Sequence, residues 1–371
     1  MHRSDKYVIL HKNHLIFRGK SSKFKLRKRL SKERGTLVSM KDIAKRCGVS
    51  IATVSKALNG QSDIGDAIRE KVIQAAKELG YTGNSAARSL KTNRSYLIGI
   101  LFMDLSNSGF THEYFASTLT NFRLEAERCG YDIVFLSSNS RMAATSYLQH
   151  ALFRGVDGVA IICADFFDPT VQELAYSDLP VVTLDHAFNN RTAVMSDNMH
   201  GVESLVKYVY GKGHHKIAYI RGNPTAVTES RMMGFYRACE ELGIRIPKEY
   251  LEECEYHEPI SCYKATKRLL ELEDRPTCIL FSDDYSYIGG MNAIREAGLR
   301  VPEDISVAGY DGIHIAGIMN PKLTTWQQNT PELGRIAAAE LIAKIENPRT
   351  TLPKHIEVNG SLLEGETVRE I

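Results

Sequence analysis

The chain has 371 residues, 43% hydrophobic and 25% charged, with a formal net charge of +3. That composition is ordinary for a globular protein of two or three domains, and no apolar run approaches the roughly 18–20 residues of a membrane helix. Seven cysteines, odd in number and without a CxxC pair, argue against a disulfide framework and fit a reduced, cytoplasmic protein.

The charge is unevenly spread. Residues 1–37 hold seven Lys and five Arg against Asp5 and Glu33, so this leader carries +10 and the remainder −7. It shows no helical period and no apolar core of a secretory signal. Three readings stand: a disordered basic arm for phosphates, an organellar transit peptide, or a segment that is not translated. The last is preferred. Lys32-Glu33-Arg34-Gly35 can be encoded by purines alone, as a bacterial ribosome-binding site is, and Leu37 and Val38 are residues that non-AUG start codons encode.

The next stretch, VSMKDIAKRCGVSIATVSKALN over residues 38–59, predicts two short helices around a tight turn. Ser39 caps the first, with Asp42 three residues on as an acidic variant of the capping box. Ile43, Ala44 and Cys47 form its apolar stripe, and Gly48 takes the left-handed turn position. Ser50 is the cap of a second helix over 51–58. There Val54, Ala57 and Leu58 face the first helix, while Ile51, Ala52, Ser55 and Lys56 fall on the opposite side. Short, apolar, hydroxyl and basic side chains on one exposed face suit the major groove, where methyl groups meet thymine methyls. One helix braced and the other presented to base edges is a helix-turn-helix; an ordinary packed helix pair is the bland alternative.

A third helix follows over 66–79, with Ile68, Val72, Ala75 and Leu79 on one stripe. Then come L-G-Y at Tyr81 and A-A-R-S-L-K over residues 86–91. With D-I-A-x-x-x-G-V-S-x-A-T-V-S-K-x-L-N-G and R-E-K-V, this ordered set resembles the DNA-binding headpiece of the lactose-repressor (LacI/GalR) family. The resemblance implies a headpiece over 38–83 and a hinge helix and linker over 84–95. It further implies that Ser50, Thr53 and Asn59 meet phosphates, and that Ala87, Arg88 and Leu90 enter the minor groove. The implied partners are double-stranded operator DNA and a second copy of the chain.

From residue 96 short apolar runs alternate with amphipathic stretches. Strands are expected over 96–102, 131–136, 158–163 and 181–184, then 216–220, 277–281 and 306–310. Helices are expected near 113–129, 142–154, 169–176, 199–210, 231–242, 263–272 and 285–297. Such alternation predicts two doubly wound α/β lobes. The family resemblance continues through G-H-H-K-I-A-Y-I-R-G, R-M-M-G-F, S-D-D, V-P-E-D-I-S-V-A-G-Y-D and L-T-T. It implies a periplasmic-binding-protein-like effector and dimerisation domain over 96–371, with the chain crossing between lobes near 197 and 323. The fold class is therefore an all-α headpiece followed by a two-lobed α/β domain.

In such sheets ligands bind beyond the carboxyl ends of the strands. Carried over by motif, the effector residues are Tyr114, Phe115, Asp185, Arg231, His257, Asp283 and Asp311. Asp283 stands where many members have asparagine, and the substitution adds negative charge. Carboxylates, an arginine and flat rings suit a carbohydrate, the carboxylates accepting hydroxyl protons and the rings covering apolar faces. Each residue has a plainer alternative: Asp283 or Asp284 as a helix cap, Asp311 as a turn residue, Tyr114 and Phe115 as core, His257 as a solvated loop residue, Arg231 as a surface cation.

No catalytic residues, cofactor or metal are expected. There is no G-x-S-x-G, P-loop or H-E-x-x-H, and His214-His215 has no third ligand at a plausible spacing. The function read from the sequence is a homodimeric, ligand-controlled transcriptional repressor.

Overall fold

A computed structural model describes residues 38–58, 61, 63–81, 94–103, 109–137 and 146–371. The leader, Asn59 and the hinge residues Ala87, Arg88 and Leu90 lie outside the described residues. The chain divides into two compact units between Lys91 and Thr92.

The described residues of the first unit form three helices, α1 (Met40–Cys47), α2 (Ile51–Leu58) and α3 (Asp66–Glu78). Asp42 closes the start of α1: its Oδ2 accepts from the Ser39 backbone N–H at 2.9 Å and from the Ser39 hydroxyl at 2.7 Å. Gly48 ends α1 at φ 70°, a conformation only glycine adopts without steric cost. Ser50 caps α2, its Oγ accepting from the Thr53 N–H at 3.0 Å. Ile43, Ala44, Cys47, Val54, Ala57, Val72, Ala75 and Ala76 make the core. The expected stripe on α3 is rotated: Ala76 is buried, whereas Ile68 is 42% exposed.

The second unit contains two six-stranded sheets. The first is built from β1 (Leu97–Phe102), β2 (Asp132–Phe135), β3 (Gly158–Cys163), β4 (Val181–Leu184) and β5 (Thr192–Ser196). Around them lie α4 (Glu113–Arg128), α5 (Tyr147–Arg154) and α6 (Pro169–Ala175). The second is entered through α7 (Asn198–Gly211), with β6 (Ile217–Arg221), α8 (Ala226–Glu241), β7 (Leu251–Glu253), α9 (Pro259–Leu270), β8 (Cys278–Phe281), α10 (Tyr287–Glu296), β9 (Ser306–Asp311), α11 (His314–Ile318) and β10 (Thr324–Gln327). The chain then returns as α12 (Thr330–Glu346) and β11 (His355–Val358) before β12 (Ser361–Leu363). Sheet order is β11-β5-β4-β3-β1-β2 in the first lobe and β12-β10-β9-β8-β6-β7 in the second. Among the described residues every pairing is parallel except β10 with β12.

The chain changes lobes at Asp197 and returns after Gln327, because Thr324–Gln327 pairs with β9 inside the second sheet. A further passage, between Val358 and Ser361, was not foreseen. Nor was α12, although Asn329 caps it, Pro331 sits in its first turn, and Leu333, Ala337, Leu341 and Ile345 repeat every fourth residue. Those side chains fill the core of the first lobe beside Phe122 of α4 and Ile98 and Ile100 of β1. No described helix is long and apolar enough to cross a membrane.

Candidate functional site

The exposed face of α2 is the first candidate surface. Val54 and Ala57 are buried, while Ile51 is half-exposed and Ala52 and Lys56 are exposed; Ser55 is intermediate. Thr53 and Ser50 share a hydrogen bond through their hydroxyls at 2.8 Å. Lys56 forms an ion pair with Asp63, a contact across seven positions that no local pattern signals. Both partners are solvated, so the pair is weak and exchangeable for a stronger anion.

The second candidate is a cavity of about 430 Å³ between the lobes of the second unit. It forms at the carboxyl ends of the strands: Cys163 ends β3, Asp185 follows β4, Glu253 ends β7 and Asp311 ends β9. That is where a parallel sheet exposes its loops. Tyr114, Phe115, Asp185, Arg231, His257 and Asp311 all line it.

Arg231 is a buried anchor of the second lobe, not a surface cation. Its Nε donates to Asn198 Oδ1 and its Nη1 to the Ser282 carbonyl, both at 2.8 Å. The guanidinium carbon stands 3.7 Å over the Tyr310 ring, and Nη2 is 3.8 Å from Asp311 Oδ1. Asp311 also accepts from Gln328 Nε2 at 2.6 Å. Burial pushes the Asp311 carboxyl up to about 6, with Arg231 opposing the shift. Asp185 accepts from the Tyr114 hydroxyl at 2.5 Å and from the Ser196 N–H at 2.9 Å; burial raises it as well. Asp185 (φ 51°), His257 (φ 59°) and Asp311 (φ 101°) all hold positive φ, a cost that non-glycine residues bear mostly at functional positions.

Asp283 is the exception among the expected residues: it does not line the cavity. It is fully buried, with Oδ1 accepting from the Ser286 N–H and Oδ2 from the Ser286 hydroxyl, both at 2.7 Å, where it closes the turn before α10. It also accepts from the His257 backbone N–H at 3.3 Å. It thus braces the turn ahead of α10, whose own N-cap is Ser286, and the added charge sits behind the cavity wall. Asp284 is likewise internal, accepting from Thr325 Oγ1 at 2.6 Å and the Ile313 N–H at 3.0 Å.

Several lining residues were not anticipated. The Phe166 and His186 rings stack at 4.2 Å with planes 6° apart. Tyr256 packs where Gly222 leaves room, since a Cβ there would lie 2.2 Å from its ring. Gln328 joins the lobes, accepting from Ser196 Oγ while donating to Asp311. The signal for Phe166 and His186 was positional: both follow strands at the end where ligands collect. His112, the residue before α4, brings its ring within 3.7 Å of the His257 ring, centroid to centroid. His214, by contrast, is structural, its ring nitrogens bonding Thr277 Oγ1 and the Arg369 carbonyl.

Comparison with known proteins fits both surfaces. The model for bacterial regulatory proteins of the lacI family matches residues 39–84, and that for a periplasmic binding protein-like domain matches residues 206–368. The HTH-type transcriptional repressor PurR of Mannheimia succiniciproducens is 32% identical over 340 residues, covering 90% of this chain and all of that protein. Its counterpart in Proteus mirabilis is 33% identical, covering 90% and 98%. Among solved structures, the lac repressor dimer bound to operator and the anti-inducer ONPF superposes with a TM-score of 0.75 at 26% identity, covering 90% of this chain and all of that one. These relatives are repressors, not enzymes, and at this identity over nearly their whole length the chain belongs to the LacI family of DNA-binding transcriptional repressors.

Proposed function

We propose that the protein binds a pseudo-palindromic operator as a homodimer through α2, and that a carbohydrate held in the cavity between the lobes controls it. The observation that carries the ligand class is the pairing of buried carboxylates with rings around one cavity. Asp185, Asp311 and Arg231 supply fixed acceptors and donors, and Tyr114, Phe115, Phe166 and His186 supply flat faces. Hydroxyls need directional partners of that kind, and the apolar face of a sugar ring needs cover. The volume is in the range of small-ligand pockets.

The operator half of the proposal rests on the α2 face and on the relatives. The lac repressor neighbour is a dimer on operator DNA, and one headpiece per chain suits two half-sites. Ile51, Ala52, Ser55 and Lys56 would read bases, Ser50, Thr53 and Asn59 would contact phosphates, and Ala87, Arg88 and Leu90 would form the minor-groove hinge. Met233 and Tyr236, three apart on α8 and both about half exposed, offer an apolar surface for a second copy. A cytoplasmic location accompanies this reading.

A thermal-shift screen over mono- and disaccharides, with nucleobases as the competing class, tests the ligand, because a molecule that binds only the folded state raises its melting temperature. A stabilising sugar that also changes operator affinity in a gel shift is the expected result; stabilisation by nucleobases alone would overturn the carbohydrate reading. Exchanging Ile51 and Ala52 should shift operator preference by roughly 1–3 kcal/mol per lost base contact. Asp63→Asn, by releasing Lys56, should tighten DNA binding with little change in melting temperature.

A further inference from the structure

We propose that His112, His257 and Asp311 form a site for a divalent transition-metal ion, Zn²⁺ by donor chemistry, that ties the two lobes together at the cavity. One donor atom from each residue lies within 4.8 Å of the others. His112 precedes α4 in the first lobe; His257, in the loop after β7, and Asp311, at the end of β9, belong to the second. His112 is 4% exposed and Asp311 5%, so the donors are held away from bulk water.

Two imidazoles and one carboxylate are a zinc donor set, with bonds of about 2.0–2.2 Å and a tetrahedron that leaves one position for water or a ligand hydroxyl. Donors on such a tetrahedron stand about 3.4 Å apart, inside the bound these atoms already meet. The surroundings are built as the outer shell of a metal site is. His257 Nδ1 lies 3.5 Å from Asp283 Oδ1, which leaves Nε2 as the donor. Asp283 is itself locked by Ser282 and Ser286. A carboxylate behind a ligating histidine fixes its tautomer and strengthens it. This gives the buried, displaced Asp283 a role that lining the cavity does not. On Asp311, Oδ1 accepts from Gln328 and faces Arg231, so Oδ2 is the oxygen for the ion. Arg231 offsets part of the carboxylate charge, so the imidazoles contribute most of the affinity, which favours zinc, cobalt or nickel over magnesium or calcium.

The test titrates the full-length, chelator-treated protein with Zn²⁺ alone by calorimetry, and with Co²⁺ by absorption, with no sugar present. One Zn²⁺ per chain is expected, with a four-coordinate Co²⁺ spectrum. His112→Gln and His257→Gln should each weaken binding at least 100-fold, and Asp283→Asn 10–100-fold. Binding that survives in both histidine variants places the ion elsewhere and overturns the proposal. So does a wild-type protein that gives only the weak absorption of six-coordinate Co²⁺, a readout that does not depend on any variant folding. Because no sugar is used, failure here leaves the carbohydrate reading to its own test.

Discussion

The two lobes of the second unit repeat one another in strand order, apart from an edge strand that runs parallel in the first and antiparallel in the second, and they differ where the cavity opens. Read from one edge, β2-β1-β3-β4-β5-β11 in the first lobe corresponds to β7-β6-β8-β9-β10-β12 in the second. Asp185 and Asp311 occupy the same place, at the carboxyl ends of β4 and β9, each at positive φ. Ser196 and Gln328 likewise correspond, at the ends of β5 and β10. Their surroundings diverge. The first lobe answers its carboxylate with the hydroxyl of Tyr114 and lines its lip with rings. The second answers with a guanidinium that is itself fastened to Asn198, Ser282 and the Tyr310 face. One architecture thus yields an aromatic wall and a charged wall.

That comparison breaks most sharply at Arg231. Arg231→Ala should destabilise the second lobe by about 3–5 kcal/mol, because it leaves Asp311 buried without its cationic neighbour. Thermal unfolding should show the loss, and Arg231→Lys, which lacks the planar fork, should recover little of it. If the melting temperature is unchanged, the charged wall is not structural.

Asp185→Asn asks whether the equivalent carboxylate binds or merely packs. Loss of a charge-assisted hydrogen bond should weaken the effector by roughly 1.5–3 kcal/mol, read by calorimetry, with operator affinity in the absence of effector unchanged. Equal ligand affinity would mean that only Asp311 of the pair recognises the ligand.

A pH series sharpens the asymmetry. His214 belongs to the second lobe, and burial lowers its pKa below the usual imidazole range. The unfolded chain therefore takes up a proton more readily than the folded one. Its contribution to stability is complete above the ordinary value of about 6.5 and is lost as pH falls below it. Between pH 7 and pH 5 the wild type should lose melting temperature relative to His214→Asn, while Asp311, raised to about 6, pulls the opposite way in both proteins.

The smallest effect belongs to the join. Ser196→Ala removes the hydroxyl that reaches Gln328 across the lobes and should cost about 1 kcal/mol, with a change in effector affinity if the lobes move on binding.

What was legible in the sequence follows the range of the forces involved. The headpiece was read nearly residue by residue, because Asp42 on Ser39, Gly48 at the turn and Val54 with Ala57 are contacts within a few positions. Central strands such as Gly158–Cys163 and Val181–Leu184 were found at their boundaries, since strands buried on both faces are continuous apolar runs. The edge strands Leu251–Glu253, His355–Val358 and Ser361–Leu363 were missed, as were the interior strands Thr192–Ser196 and Thr324–Gln327, all of them short and partly polar. The family motifs led to six residues that line the cavity. The seventh, Asp283, lies behind its wall, in a place that depends on Ser286 and the loop carrying His257. Phe166, His186 and Gln328 escaped because partners from distant strands bring them to the cavity. The helix over Thr330–Glu346 was legible and overlooked, since its cap, its proline and its four-residue repeat are all local.

That helix bears on how the protein is made. The first lobe takes α12 and β11 from the far end of the chain, after the second lobe's β6–β10 have been synthesised. On the ribosome, residues 97–196 emerge without Leu333, Ala337, Leu341 and Ile345 to fill their core, and the edge of β5 waits for β11. Contacts of such long sequence separation form slowly and leave apolar surface open meanwhile. A chain released early, at residue 323 for example, would therefore carry a finished headpiece and two unfinished lobes. Premature termination should yield a substrate for chaperones and proteases, not a constitutive repressor.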